Sequence, residues 1–495
     1  MKNRFAKYFY NNITYIGVFL ALFILGVEFI LFAIDFLSGS SNIYIGIITY
    51  AVLPIFLILG LILIPVGAIR RWRKILKGAD TSEAKLFYID TSIATHRNAL
   101  FIFVIGTVIL IIMTAMGSYK VYEYTESVQF CGITCHGVMK PEYTAYLNSA
   151  HARVKCIECH VGEGPDNYIQ AKAAGLRQVF HLIKGDYQRP ISTPVHNLRP
   201  ADETCEHCHS PDKFYNSFEI KRTYFPTYSQ EQPEWLMRML VHVGSSNDFT
   251  EGIHAHMYLD NDIYFVADDE RYQKISWVKS VSNEGKETVF FSADSKWKDS
   301  PPPPEMIHKM DCIDCHNRPT HNFNEPNTLV NLALQKGEID PTLPLIKQKA
   351  MEALSKEYST EEAAMEEIPK FINEFYKGQF SDSYKAYQDR LDQASKVISE
   401  IFKKNIFPEM KARWDEFPDN IGHMVSDGCF RCHDGEHQTD SGKVITKDCS
   451  VCHTIIEQGH PDNLEMNTKG VAFIHPFEDD GLWQEMKCSE CHTGN

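Results

Sequence analysis

Three long apolar runs, residues 13–37, 43–69 and 99–117, open a chain that is otherwise polar and charged. As helices, each can cross about 30 Å of hydrocarbon, which takes roughly 20 residues. The pattern therefore predicts three transmembrane helices. The first run is not a typical signal peptide: its apolar part is too long, and no small-x-small cleavage site ends it. Beyond the third run the periodicity changes twice. "NDIYFVADD", "KISWVKSV" and "ETVFFS" read as short strands, with "SNEG" as a turn. "PPPP" at 301–304 then breaks the chain. Residues 328–416 carry helical spacing, as in "LIKQKAMEALSKEY" and "YQDRLDQASKVISEIFKK", and predict two or three amphipathic helices with solvated charged faces.

Charge orients the membrane segments. Lys2, Arg4 and Lys7 precede the first run, and Arg70, Arg71, Arg73, Lys74 and Lys77 follow the second, while the "SGSSN" linker between them is uncharged. The positive-inside rule puts the N-terminus and the 70–97 loop in the cytoplasm, so the third helix delivers everything after Gly117 to the other side. The 495 residues leave room for several domains, and at a net charge of -15 no nucleic-acid partner is expected.

The cysteines change the picture most. All 14 fall into pairs followed at once by histidine. Six read C-x-x-C-H: Cys156, Cys159 and His160; Cys205, Cys208 and His209; Cys312, Cys315 and His316; Cys429, Cys432 and His433; Cys449, Cys452 and His453; Cys488, Cys491 and His492. The first pair, Cys131 and Cys135 before His136, has one extra residue, "CGITCH". Two thiols add across two haem vinyl groups while the next imidazole binds iron. Zinc ribbons and disulfides do not demand a histidine after every second cysteine. A thioredoxin-like pair would open a helix after a strand in a βαβ pattern, and none of these does. The motifs predict seven covalent haem c groups, attached outside the cytoplasm.

A mainly α multihaem cytochrome c is expected, with three N-terminal transmembrane helices and a small β-rich insert. Its parts are a membrane domain at 1–118, haems one to three at 119–212, the insert at 213–311 and the fourth site at 312–321. A helical segment at 322–428 and three more haem sites at 429–495 complete it. Electron-transfer haems are commonly six-coordinate, so second ligands are needed. His151, His196, His321, His423, His437, His460 and His475 stand near haem motifs and are the leading candidates. His181, His207, His242, His254, His256 and His308 are reserves, and His96 falls on the cytoplasmic side. No motif ends in lysine, which argues against substrate reduction at a haem.

A membrane helix running into "CGITCHGVM", followed by "SAHARVKCIECH", "HNLRPADETCEHCH" and "CIDCHNRPTH", resembles the NapC/NirT family of membrane-anchored quinol dehydrogenases. The likeness covers 98–212 and returns at 312–321, and seven haems after three helices look most like the inner-membrane heptahaem cytochromes (ImcH-type) of metal-reducing bacteria. The resemblance implies oxidation of menaquinol at the first haem. It also implies a role for Met139, since a methionine after the first motif can replace the motif histidine on iron; here the spacing is C-H-x-x-M rather than C-H-x-M, and His136 and Met139 compete. The family places a lysine and an acid near quinol on the helix after the second motif. Lys172 matches the lysine; Gln178 stands where an acid is expected, and Asp186 lies further on. From the residues themselves, Glu28 and Asp35 are seven apart on the first helix, and ionisable groups inside a span usually face a cavity or bundle interior.

The reading is an inner-membrane quinol dehydrogenase that takes electrons from the quinol pool and passes them to a periplasmic c-type cytochrome. It can stand alone, as a homo-oligomer or with a membrane partner subunit. Two alternatives use the same motifs: an anchored electron-transfer subunit docking a separate quinone-oxidising protein, and a terminal reductase with one open haem.

Overall fold

Small residues explain how the first two apolar runs pair. The computed structural model describes residues 8–38, 48–77, 90–134, 136–162, 164–194, 198–210, 213, 217–231, 233–244, 252–254, 260–476 and 481–492. They fall into two units, Met1–Cys135 and His136–Asn495. In the first, α1 (Asn12–Ser38) packs along α2 (Leu53–Leu76). A Cβ on Gly17 would meet the Gly60 carbonyl oxygen at 2.7 Å, and one on Gly60 would meet the Ala21 nitrogen at 2.8 Å. Glycine is what lets these backbones touch. The Asn11 side chain accepts from the Thr14 amide at 3.0 Å and starts α1. Thr14 Oγ1 donates across to the Ile64 carbonyl at 3.3 Å.

The stretches Asn12–Leu31 and Leu53–Leu76 are each long and apolar enough to cross a membrane. Arg73 and Lys74 occupy the last turn of α2, where the helix dipole favours cations. The third apolar run lies inside α3 (Ala94–Thr125), which continues past Gly117 because "SYKVYEYT" contains no breaker. The first unit accordingly extends to Cys135 rather than to 118.

The second unit opens with α4 (His136–Leu147), α5 (Cys156–His160) and α6 (Pro165–Lys184). Strands β1 (Ser217–Tyr224), β2 (Trp235–His242), β3 (Asn261–Ala267), β4 (Ile275–Ser282), β5 (Glu287–Phe291) and β6 (His308–Lys309) follow. The three stretches read as strands become β3, β4 and β5. The insert does not close on itself, however. One sheet has the order β5-β4-β3-β6, but β1 and β2 are completed by β7 (His453–His460) and β8 (Asn463–Met466) in the order β1-β2-β7-β8. All these pairings are antiparallel.

After α7 (Cys312–Cys315) comes the helical segment, which holds four helices rather than two or three: α8 (Pro326–Gln335), α9 (Ile346–Ser355), α10 (Glu361–Gln379) and α11 (Tyr384–Asn405). Breaks at "GEIDPTLP", "KEYST" and "FSDS" separate them. Their apolar faces converge on one core in which Ile368, Ile372, Tyr376, Leu391, Ile398 and Phe402 are wholly buried. Tyr376 pairs its hydroxyl with the Pro344 carbonyl at 2.8 Å, so the buried phenol is satisfied.

Candidate haem sites

Each of the six regular motifs folds as a single helical turn. The motif histidine amide reaches back to the first cysteine carbonyl, at 2.8 Å for His209, His316 and His492 and at 2.9 Å for His433. One turn brings residues three and four apart to the same side, so two thiols and an imidazole can address one ring. At the first site, Phe130–Thr134 form a wider π-type turn, which takes up the residue that lengthens "CGITCH". Tyr124 stands edge-on to Phe130 at 5.4 Å and its hydroxyl lies 3.2 Å from Thr134 Oγ1. Cys135 and the His136 side chain lie outside the described residues. No disulfide joins the thirteen described cysteines.

Five motif histidines face a second histidine. His160 faces His321 at 6.1 Å between ring centroids, and His209 faces His151 at 6.0 Å. His316 faces His254 at 6.2 Å, His453 faces His423 at 6.2 Å, and His492 faces His475 at 6.1 Å. Two metal–nitrogen bonds of about 2 Å plus two ring radii put the centroids about 6 Å apart. The spacing therefore fits an iron between each pair. The other ring nitrogens agree: Nδ1 lies 2.8 Å from the Val243 carbonyl at His254, 3.0 Å from the Glu142 carbonyl at His321 and 3.2 Å from the Pro319 carbonyl at His151. Such bonds fix the tautomer that leaves Nε2 for a metal. His423 and His453 each bury an Nδ1 with no hydrogen-bond partner. Burial lowers the pKa of His321 and His453 to about 4, so both rings stay neutral, as ligation requires.

Several expected ligands are engaged elsewhere. His437 is buried with Nδ1 2.9 Å from Asp434 Oδ2 and Nε2 3.1 Å from the Ile275 carbonyl. Both nitrogens face oxygen acceptors, which leaves no lone pair for a metal, so His437 is a structural clamp. His460 ends β7 edge-on to Trp235 with Nδ1 2.9 Å from the Glu234 carbonyl, a bond that, as at His254, engages Nδ1 and not Nε2. Among the reserves, His254 gains a partner, whereas His242 bridges Ser217 and Thr454 and His308 pairs with Asp314 at 3.1 Å. His207 is exposed, and His181 sits 2.8 Å from Asp186. His196, His256 and the His96 side chain lie outside the described residues. His433 points Nδ1 at the Thr446 carbonyl, 2.9 Å away.

The second to seventh motifs lie near one another in the order of the sequence. Burial pushes the Cys315 and Cys432 thiols up to about 12. Each site's thiols also feel those of the next: Cys159 with Cys205, Cys312 with Cys205, Cys315 with Cys429, Cys452 with Cys429, and Cys488 with Cys449. Side chains tie the same neighbours together. Phe430, inside the fifth motif, stacks on His423 at 4.3 Å, and Ser489 of the seventh donates to Asp427 at 2.7 Å.

The residues expected at a quinol site separate by environment. Glu28 is buried on α1, and its Oε1 has no hydrogen-bond partner. The Asp35 side chain lies outside the described residues. On α6, Lys172 Nζ lies over the Tyr168 ring at 4.9 Å and Gln178 is exposed. Gly185, at φ 74, turns the chain back so that Asp186 reaches His181 at 2.8 Å and Lys184 at 3.1 Å. Those two bonds hold its carboxyl below the usual range. The same helix exposes Ile169, Leu176, Phe180 and Ile183 along one face. Met139 is half-buried on α4, beside Val138, which packs into a core cluster with Phe323 and Phe407.

Residues 93–223 match the model of the NapC/NirT cytochrome c family, N-terminal region. The cytochrome c-type protein ImcH of Geobacter sulfurreducens is 36% identical over 98% of this chain and 96% of its own length. NrfH of Wolinella succinogenes is 31% identical over 18% of this chain and 52% of its own, and TorY of Haemophilus influenzae 24% over 21% and 33%. No solved structure matches.

Proposed function

This chain belongs to the NapC/NirT cytochrome c family, alongside ImcH, and on that premise we propose that it is an inner-membrane menaquinol dehydrogenase. It carries electrons along seven haem c groups to a periplasmic c-type cytochrome. Three helices anchor it, with the N-terminus cytoplasmic and the haem-bearing part periplasmic.

The observation that supports this most is the sequence-ordered proximity of the second to seventh motifs, from Cys159 to Cys488, which suits a path for electrons better than isolated centres would. Haem c, when bound, supplies the one-electron chemistry. The chain's own residues do the rest. Fourteen cysteines hold the rings. Five of the motif histidines take His321, His151, His254, His423 and His475 as second ligands, with backbone carbonyls fixing ring orientation at His321, His151 and His254. At the first site His136 or Met139 binds.

Quinol oxidation releases two protons, and a base must stand near them. Glu28 holds a buried carboxylate oxygen free to accept one. Lys172 lies on the helix that exposes an apolar face. Asp186, held ionised by His181 and Lys184, suits positioning these partners better than proton uptake.

Stopped-flow mixing of the purified chain with a reduced menaquinol analogue tests the reading. Haem reduction without any partner protein is expected. Reduction by dithionite alone, with none by quinol, rejects it.

A further inference from the structure

One side chain fastens the fourth attachment site to the fifth. Arg431 is the third residue of the motif at Cys429 and is 6% exposed. Its Nε donates to the Gly428 carbonyl at 2.9 Å, Nη1 to the Tyr272 carbonyl at 2.7 Å, and Nη2 to the Asp314 carbonyl, in the preceding motif, at 2.9 Å. All three acceptors are neutral. The guanidinium is therefore satisfied geometrically while its charge has no carboxylate bonded to it.

The nearest acids are committed elsewhere. The Asp314 carboxylate accepts from the Asp311 amide at 2.8 Å and faces His308 at 3.1 Å. The Asp434 carboxylate faces His437 at 2.9 Å. Arg431 adjoins Cys432 in its own motif and bonds to the carbonyl of Asp314, which adjoins Cys315. Both cysteines pack against one apolar cluster built on Phe265, Ile275 and Val278. A fixed cation in such a dry setting acts strongly on any neighbouring group that changes charge.

We propose that Arg431 sets the reduction potentials of the two haems attached at Cys312–Cys315 and Cys429–Cys432, raising both. Reduction adds an electron to each centre, and the buried positive charge stabilises that state. Because Arg431 lies inside a motif and bonds to the adjacent motif's backbone, its distance to both rings is set by the attachment itself. It is a positioning and tuning residue and touches no substrate. The proposal rests on covalent haem at these two sites.

The test is a spectroelectrochemical titration of the full-length protein and its Arg431→Lys, Arg431→Gln and Arg431→Met variants, with haem counted by pyridine haemochrome. Two titrating components should move together to lower potential in Arg431→Met and Arg431→Gln, with Arg431→Lys close to the parent. An unshifted curve in a fully haem-loaded Arg431→Met overturns the proposal. Should Arg431→Met lose haem, Arg431→Gln keeps an amide donor for the carbonyls without the charge; a shift there supports the proposal and none rejects it. A haem count in the parent too low for both sites would instead remove the haem assignment beneath it.

Discussion

His254 faces His316 across 6.2 Å with the two rings 7° from parallel. One ring belongs to the fourth CxxCH motif and the other to the β-rich insert, so the insert sets a histidine opposite that motif's own. In His254→Ala, one haem should turn high-spin in the ferric state while the haem count stays unchanged, because the attachment cysteines are untouched. Its midpoint potential should rise as an imidazole is lost. Electron paramagnetic resonance checks this, and a purely low-spin spectrum would discard the pairing.

Lys347 is buried in the helical core with its Nζ on the Phe225 carbonyl, and burial lowers its pKa to about 7. An unfolded lysine keeps its proton to about 10.4. Between those values the unfolded chain binds the extra proton, so stability rises with pH across that window. Below it both states are charged and the full penalty remains, on the order of 5 kcal/mol. Lys347→Met should therefore stabilise the protein at neutral pH and flatten the rise toward alkaline pH. Thermal unfolding at several pH values reads both effects.

Glu142 and Arg318 form a buried pair at 3.4 Å, with the arginine stacked on Phe417 at 4.5 Å. Burial raises the Glu142 carboxyl, against the pull of Arg318. Removing one partner strands the other, at a cost of about 3–5 kcal/mol. Arg318→Met should lower the unfolding midpoint sharply, and Arg318→Met with Glu142→Met should recover much of it. A single variant as stable as the parent would contradict this.

Gly60 lies where a side chain would collide with the backbone of α1 at Ala21. Gly60→Val should separate α1 from α2 at roughly 1–3 kcal/mol, the range for overpacking. Crosslinking between cysteines placed on the two helices should weaken, while haem content stays the same.

The motifs singled out cysteine pairs followed by histidine because haem chemistry requires that spacing, and each of the six regular ones folds as one turn. They did not disclose which second histidine serves which site. His321 stands five residues after the fourth motif yet faces His160 of the second, and His151 stands just before the second yet faces His209 of the third. The chain that holds one histidine of such a pair cannot easily reach round to the other side, so at these two sites the facing histidine comes from elsewhere in the sequence. His437 resembled a ligand by position, but Asp434 and Ile275 take both its nitrogens, and only tertiary packing reveals that. Arg431 was hidden inside a motif at a position the attachment chemistry leaves free. The strands at 261–291 were legible from alternation, whereas the join of β2 to β7 depends on residues far apart in the chain.

That join also orders events during biogenesis. Strand β2 is synthesised long before β7, so its sheet has no partner for that edge until the fifth motif and the sixth have been made. Non-local pairing of this kind is slow to form. The sheet therefore stays open at that edge until nearly the whole chain is made, and its closure is a late step that joins the insert to the C-terminal segment.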